Sequence, residues 1–176
     1  MMKTYKKGFT LVELLVVIAI IGLLSTLAIV ALNSARQRAR DAKRVSDIRQ
    51  IQTALQLYFD SQNEYPFVAV NPTNLGAGSF VVLSSGGWEA VVGAGATVYM
   101  GLVPSYPTPG PAAGAVNYAY NSLLSNGGAA CPDAASTCAW YTMTLDLEAN
   151  TGSLKDGDDV GSIPNCTANP DGITCT

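Results

Sequence analysis

The chain of 176 residues contains no histidine. That absence removes the side chain that titrates nearest neutrality, the commonest metal ligand, and every serine or cysteine mechanism that relays a proton through imidazole. Charge is scarce too, at 13% of residues, where an ordinary soluble domain has about 25%. Basic residues almost vanish after Arg49, leaving Lys155 alone against ten carboxylates, while glycine and proline almost vanish before Pro66, leaving only Gly8 and Gly22. The first 50 residues hold nine Lys or Arg against three carboxylates, net +6, and the remainder nets -9. Two bodies with different physical tasks therefore meet near residue 65. The second has room for a modest core only, and a large multidomain enzyme does not fit.

What is abundant is aliphatic sequence. Phe9 to Leu32 is a 24-residue apolar run broken by one charge, Glu13. At 1.5 Å per residue such a helix reaches about 36 Å, enough to cross a hydrocarbon layer of about 30 Å. A secretory signal peptide is the competing reading, with Asn33-Ser34-Ala35 as its small-residue cleavage site, but it wants a shorter core without an internal carboxylate. Glu13 is costly in lipid and asks for a cation, unless it is protonated or snorkels to the headgroups.

The basic leader Met1 to Lys7, then Gly8, then Phe9-Thr10-Leu11-Val12-Glu13 directly before a span, resembles the signal of type IV pilins and type II secretion pseudopilins. The resemblance implies that a prepilin peptidase cuts between Gly8 and Phe9 and methylates the new amine of Phe9. It also implies that Glu13 pairs with a neighbouring subunit's terminal amine during assembly. The sequence departs from many members in having Val30 where they carry a proline, so no kink is assumed there. Five basic residues between Arg36 and Arg44 follow the span and three lysines precede it, so a cytoplasmic N-terminus rests on the leader and the cysteines, not on charge bias.

Past the span, Ala35, Ala39, Ala42, Val45, Ile48, Ile51, Leu55 and Tyr58 recur at steps of three or four, which predicts a narrow buried stripe on one helix from about Thr10 to Phe59. The charges from Arg36 to Arg49 are interrupted by Asp41 and Asp47 and lack interleaved aromatics. They read as a solvated or intersubunit salt-bridging face, not a nucleic-acid surface. Tyr65-Pro66 must lie outside the helix. Beyond it, Phe80 to Leu83 and Thr97 to Met100 are weak strand candidates and Pro104 to Gly110 is a rigid turn, and the resemblance implies that Val116 to Asn121 supplies a Tyr-x-Tyr strand. Tyr141 to Glu148 alternates cleanly, with Tyr141, Met143, Leu145 and Leu147 on the apolar face. That face must pack on something, and the lower stem helix is available.

Cys131, Cys138, Cys166 and Cys175 lack zinc-site spacing and suit disulfides in an oxidising compartment. Three pairings are open; the two that close short proline-containing loops, Cys131 with Cys138 and Cys166 with Cys175, are favoured. Asp156, Asp158 and Asp159 sit among glycines, a composition that suits a hard cation but reads first as a solvated acidic turn; the resemblance to major pseudopilins implies calcium there.

The expected fold is α+β: a long N-terminal transmembrane and stem helix carrying a small, disulfide-braced antiparallel-sheet head, the pilin lollipop. The expected organisation is a leader at 1–8, a membrane or filament-core helix at 9–32, a stem at 33–65 and an exported head at 66–176. The resemblance implies a non-enzymatic subunit of a secretion pseudopilus or surface pilus, anchored in the inner membrane. Its implied partners are other copies, minor pilins or pseudopilins, the peptidase and an assembly platform. The alternative is an exported enzyme or binding protein that uses the helix as a tether, which would need a catalytic constellation in the head that the sequence does not offer.

Overall fold

The structure is a computed structural model and describes residues 9–110, 117–148 and 165–175. One helix, α1, runs over Leu11–Gln62. No proline and a single glycine, Gly22, lie within it, so nothing interrupts the backbone ladder. It ends where Asn63 takes the left-handed conformation (φ 59°) and donates its amide to the Phe59 carbonyl at 2.7 Å, an asparagine C-cap followed by the Pro66 block.

The chain divides into two compact units, one up to Gln37 and one from Arg38 onward. In the first, every large apolar side chain from Leu11 to Leu32 is exposed. Two of its hydroxyls are satisfied within the helix: Ser25 donates to the Ile21 carbonyl at 2.7 Å and Thr26 to the Leu23 carbonyl at 2.8 Å. This is the one helix among the described residues that is long and apolar enough to cross a membrane.

In the second unit a five-stranded antiparallel sheet has the order β1-β5-β6-β7-β8, formed by Thr73–Leu75, Tyr118–Leu123, Trp140–Asp146, Asn165–Asn169 and Gly172–Cys175. A small sheet has the order β3-β2-β4, from Gly87–Glu89, Val82–Ser84 and Val98–Met100. The apolar face of β6 is as the alternation predicts: Tyr141, Met143, Leu145 and the following Leu147 are all buried, as are Tyr118 and Tyr120 of β5. They share one core with Val45, Ile48, Ile51, Leu55 and Tyr58 of α1.

The buried helix stripe begins later than the apolar periodicity indicated. Ala35, Ala39 and Ala42 are exposed, and the core-facing positions one and two turns before Ile48 are held by Asp41 and Arg44, both fully buried. The charged segment is therefore not a uniformly solvated face: Arg36, Arg38, Lys43 and Arg49 are exposed, whereas Asp41, Arg44 and Asp47 point into the head. Helical phase explains this, because residues 41, 44, 45, 48, 51, 55 and 58 fall on one side and the small alanines lie off it.

Arg44 bonds Asp41 and Glu148, donates to the carbonyls of Pro107 and Pro109 at 3.1 and 3.2 Å, and lies 4.6 Å above the Tyr106 ring. Arg40 adds a two-pronged bond to Glu148, and the Glu148 amide donates to Asp41 at 2.9 Å. The Tyr106 hydroxyl donates to the Asp146 carbonyl, and burial pushes that phenol up to about 12. Helix, proline turn and the end of β6 are thus tied at a single guanidinium. Beside them Tyr118 donates to Asp47 at 2.8 Å, yet desolvation still raises that carboxyl above its usual range.

Gly76 is required by its surroundings. It has φ +76°, and a Cβ there would lie 2.3 Å from the Pro104 carbonyl oxygen.

Removing Arg44 leaves Asp41 buried without its cation and Glu148 with Arg40 alone, so Arg44→Ala is expected to destabilise the head by about 3–5 kcal/mol, measured by denaturant unfolding of the detergent-solubilised chain. Hydrogen bonds from Arg40, then Arg44, hold the Glu148 carboxyl below its ordinary value. Its stabilising share is accordingly complete above the unfolded carboxylate pKa of about 4.3 and is lost as pH falls through the lowered folded value. Glu148→Gln should flatten that acid-side loss.

Candidate functional site

The residues singled out by sequence fall into three groups in the structure. Phe9 and Glu13 lie at the start of α1, the cysteines lie in the head, and Gly8, Asp156, Asp158 and Asp159 lie outside the described residues, as does the whole 1–8 leader. Among the described residues no cluster of three or more Cys, Asp or Glu is placed to hold a metal.

At the helix start, the Thr10 amide and hydroxyl both donate to Glu13 Oε2 at 2.8 Å, and the Glu13 amide donates back to the Thr10 hydroxyl at 3.3 Å. This is a reciprocal capping box. A β-hydroxyl at the N-cap and a glutamate three residues on satisfy the first orphan amides of the helix. The carboxylate also sits at the positive end of the helix dipole. Beside the intersubunit pairing that the resemblance implies, Glu13 thus has a local task, for which the Thr-x-x-Glu spacing before an apolar run is the sequence signal. Glu13 Oε1 accepts no bond among the described residues, and both Phe9 and Glu13 are exposed.

The head's bracing is local. Cys131 and Cys138 form a disulfide, and both are buried. The Cys138 carbonyl accepts the Tyr65 amide at 2.8 Å, so the bridged loop fastens the chain just after α1 ends. Cys166 is fully buried in β7, and the β7–β8 register sets it opposite Cys175. That hairpin was not foreseen. Its signal was Pro170-Asp171-Gly172, a turn sequence in which the Asn169 side chain accepts the amides of Asp171 and Gly172 at 2.9 and 3.2 Å.

Comparison with known proteins agrees with the geometry at the N-terminus. Residues 3–29 match the family model described as the prokaryotic N-terminal methylation motif, the mark of prepilin-peptidase processing. The chain is 41% identical over 66 residues to the type II secretion system core protein G of Aeromonas hydrophila, covering 38% of this chain and 46% of that protein. To the same-named protein of Escherichia coli K12 it is 40% identical over 76 residues, covering 43% and 49% respectively. To the type IV major fimbrial protein FimA of Dichelobacter nodosus it is 33% identical over 108 residues, covering 60% and 65%. The chain thus spans about half the length of the secretion relatives it matches. No solved structure matches it.

The capping box yields a direct expectation. Thr10→Val keeps the β-branched shape and removes the hydroxyl, so amides in the first turn of α1 should exchange several-fold faster in micelles, whereas Thr10→Ser should retain wild-type protection. Equal exchange in all three proteins would mean that the cap contributes nothing.

Proposed function

We propose that the chain is a non-catalytic filament subunit of the type II secretion pseudopilus or type IV pilus kind, anchored in the inner membrane until it assembles. The observation that carries this reading is the coincidence of a methylation motif with an apolar helix exposed on every side and a carboxylate in that helix's first turn. Such a helix needs lipid or other copies of itself around it. In lipid it anchors the chain; in a filament the copies cover one another.

The chemistry of the start of α1 suits peptidase cleavage between Gly8 and Phe9. Cleavage creates an α-amine with an ordinary pKa near 8, a cation at the depth of Glu13. Thr10 occupies Oε2 of Glu13, so Oε1 is the oxygen offered to a neighbour's Phe9 amine. In a low-dielectric helix bundle an unpaired carboxylate or ammonium costs several kcal/mol, and this penalty would select the register in which the two meet. The Cys131–Cys138 disulfide supports a head on the oxidising side of the membrane and a cytoplasmic leader. Other copies, minor pilins or pseudopilins, the prepilin peptidase and an assembly platform are the proposed partners. For Asp156, Asp158 and Asp159 calcium stays a proposal on composition and the pseudopilin resemblance, and no step of assembly is routed through it.

Intact-mass measurement of the membrane-extracted protein should show a chain starting at Phe9 with one added methyl group. A chain beginning after Ala35 would make it an ordinary secreted protein. Glu13→Val should still be inserted and processed, yet give few sheared filaments, because the Phe9 amine is then buried alone. Normal filament yield from cells whose only copy is Glu13→Val would sink the pairing role, and failure to insert would assign Glu13 to topology.

A further inference from the structure

The loop joining β5 to β6 holds the sequence Ser125-Asn126-Gly127-Gly128, and it is exposed from Leu124 to Gly127. It is a tight turn: the Gly128 amide donates to the Ser125 carbonyl at 3.0 Å, and the Leu124 amide to the Ala129 carbonyl at 3.0 Å. Gly127 has φ +67° with open space around its α-carbon. Its own amide nitrogen enters no hydrogen bond among the described residues, and neither does the Asn126 side chain.

Three other asparagines are held by their side chains. Asn71 donates to the Val68 carbonyl and accepts the Ser122 amide, Asn169 accepts two amides, and Asn121, in the middle of β5, bonds Thr142. Asn126 is also the sole asparagine in the chain followed by glycine, the residue that crowds an incoming nucleophile least.

From these features we infer that Asn126 is a site of spontaneous backbone-assisted deamidation in the folded protein. The Gly127 amide nitrogen gives up its proton to water or hydroxide and attacks the Asn126 side-chain carbonyl carbon. The new C–N bond closes a five-membered succinimide and the C–NH2 bond breaks, releasing ammonia. Water then opens the ring at either carbonyl, leaving aspartate or isoaspartate. No electrons are transferred and no enzyme is required. The consequence is specific to this surface. From Ala90 to Pro132 the sequence carries no charged side chain, so conversion places the first negative charge in that stretch. The isoaspartate form also adds a methylene to the main chain at the hairpin tip. In a long-lived exported protein the reaction would age the surface of the head.

The test is to incubate the full chain in detergent at pH 6 and pH 8.5 and to map chymotryptic peptides with an isoaspartate-specific methyltransferase assay. The expected result is conversion confined to the peptide containing Asn126, faster at the higher pH, with succinimide trapped on acidification. Gly127→Ala should slow the conversion several-fold and Asn126→Gln should abolish it, both with unchanged far-ultraviolet circular dichroism. An intact Asn126 in the folded chain, with conversion only after denaturation, would overturn the inference, as would equal conversion at Asn121.

Discussion

The rest of the molecule depends on one constraint, an apolar surface that none of the described residues covers. Sixteen large apolar side chains between Phe9 and Leu32 are exposed. Burying each would be worth about 1.5–3 kcal/mol, a total of tens of kcal/mol, whereas a folded domain is stable by only about 5–15. Water is therefore excluded as the working environment of this segment by magnitude alone. A single carboxylate within such a surface stands out for the same reason. In water Glu13 would be unremarkable; in lipid or in a bundle of helices it must be bonded, and the local cap from Thr10 supplies part of that need before any neighbour arrives.

Farther along α1 the same helix meets a different problem, how to join a sheet-based head in one fixed rotation. The solution is charged, not apolar. Arg44 is fully buried and gathers Asp41, Glu148 and two proline carbonyls. Its Nε makes no bond among the described residues. Apolar side chains of similar volume could hold these elements about as tightly, since the desolvation of buried ions largely offsets their attraction. What they could not do is reject a helix turned by one residue, which would part Glu148 from the Arg40 and Arg44 guanidiniums, while Asp41, on the same helix, stayed with Arg44. The buried charges thus fix the register between helix, proline turn and β6.

Legibility in the sequence followed how local each signal was. The apolar run, the helix exit at Pro66 and the alternation of Tyr141 to Leu147 are read from neighbouring residues, and the structure has α1 and β6 at those places. The N-terminal motif was legible for the same reason. The upper end of the buried stripe was not, because Asp41 and Arg44, although in phase with Ile48, are charged, and a charge is not read as a core residue until its partner is in view. That partner is Glu148, more than a hundred positions away. Strands β1 and β3 are three residues each, too short for a period to declare itself, and exist because they pair with β5 and β2. The β7–β8 hairpin was hidden differently: its cysteines drew attention to loop closure and away from the turn residues between them.

The two tasks of the chain are also separable in their contacts. Among the described residues, the head's core takes its α1 members from Val45 to Tyr58, and its aromatic side chains pack on one another. Phe59 meets Tyr65 at 4.8 Å, Tyr65 meets Tyr141 at 4.7 Å, Tyr141 stacks on Tyr120 at 5.9 Å, and Tyr120 meets Trp88 at 5.5 Å. Edge-on and offset ring pairs add about 0.5–1.5 kcal/mol each beyond area burial, a useful supplement where a short chain cannot build a thick core. The Cys131–Cys138 bridge then fastens the loop that receives Tyr65. A head stabilised this way does not need its N-terminal helix to be in any one environment. On the proposed reading, transfer of that helix from lipid to a bundle of its own kind would then proceed without unfolding what it carries.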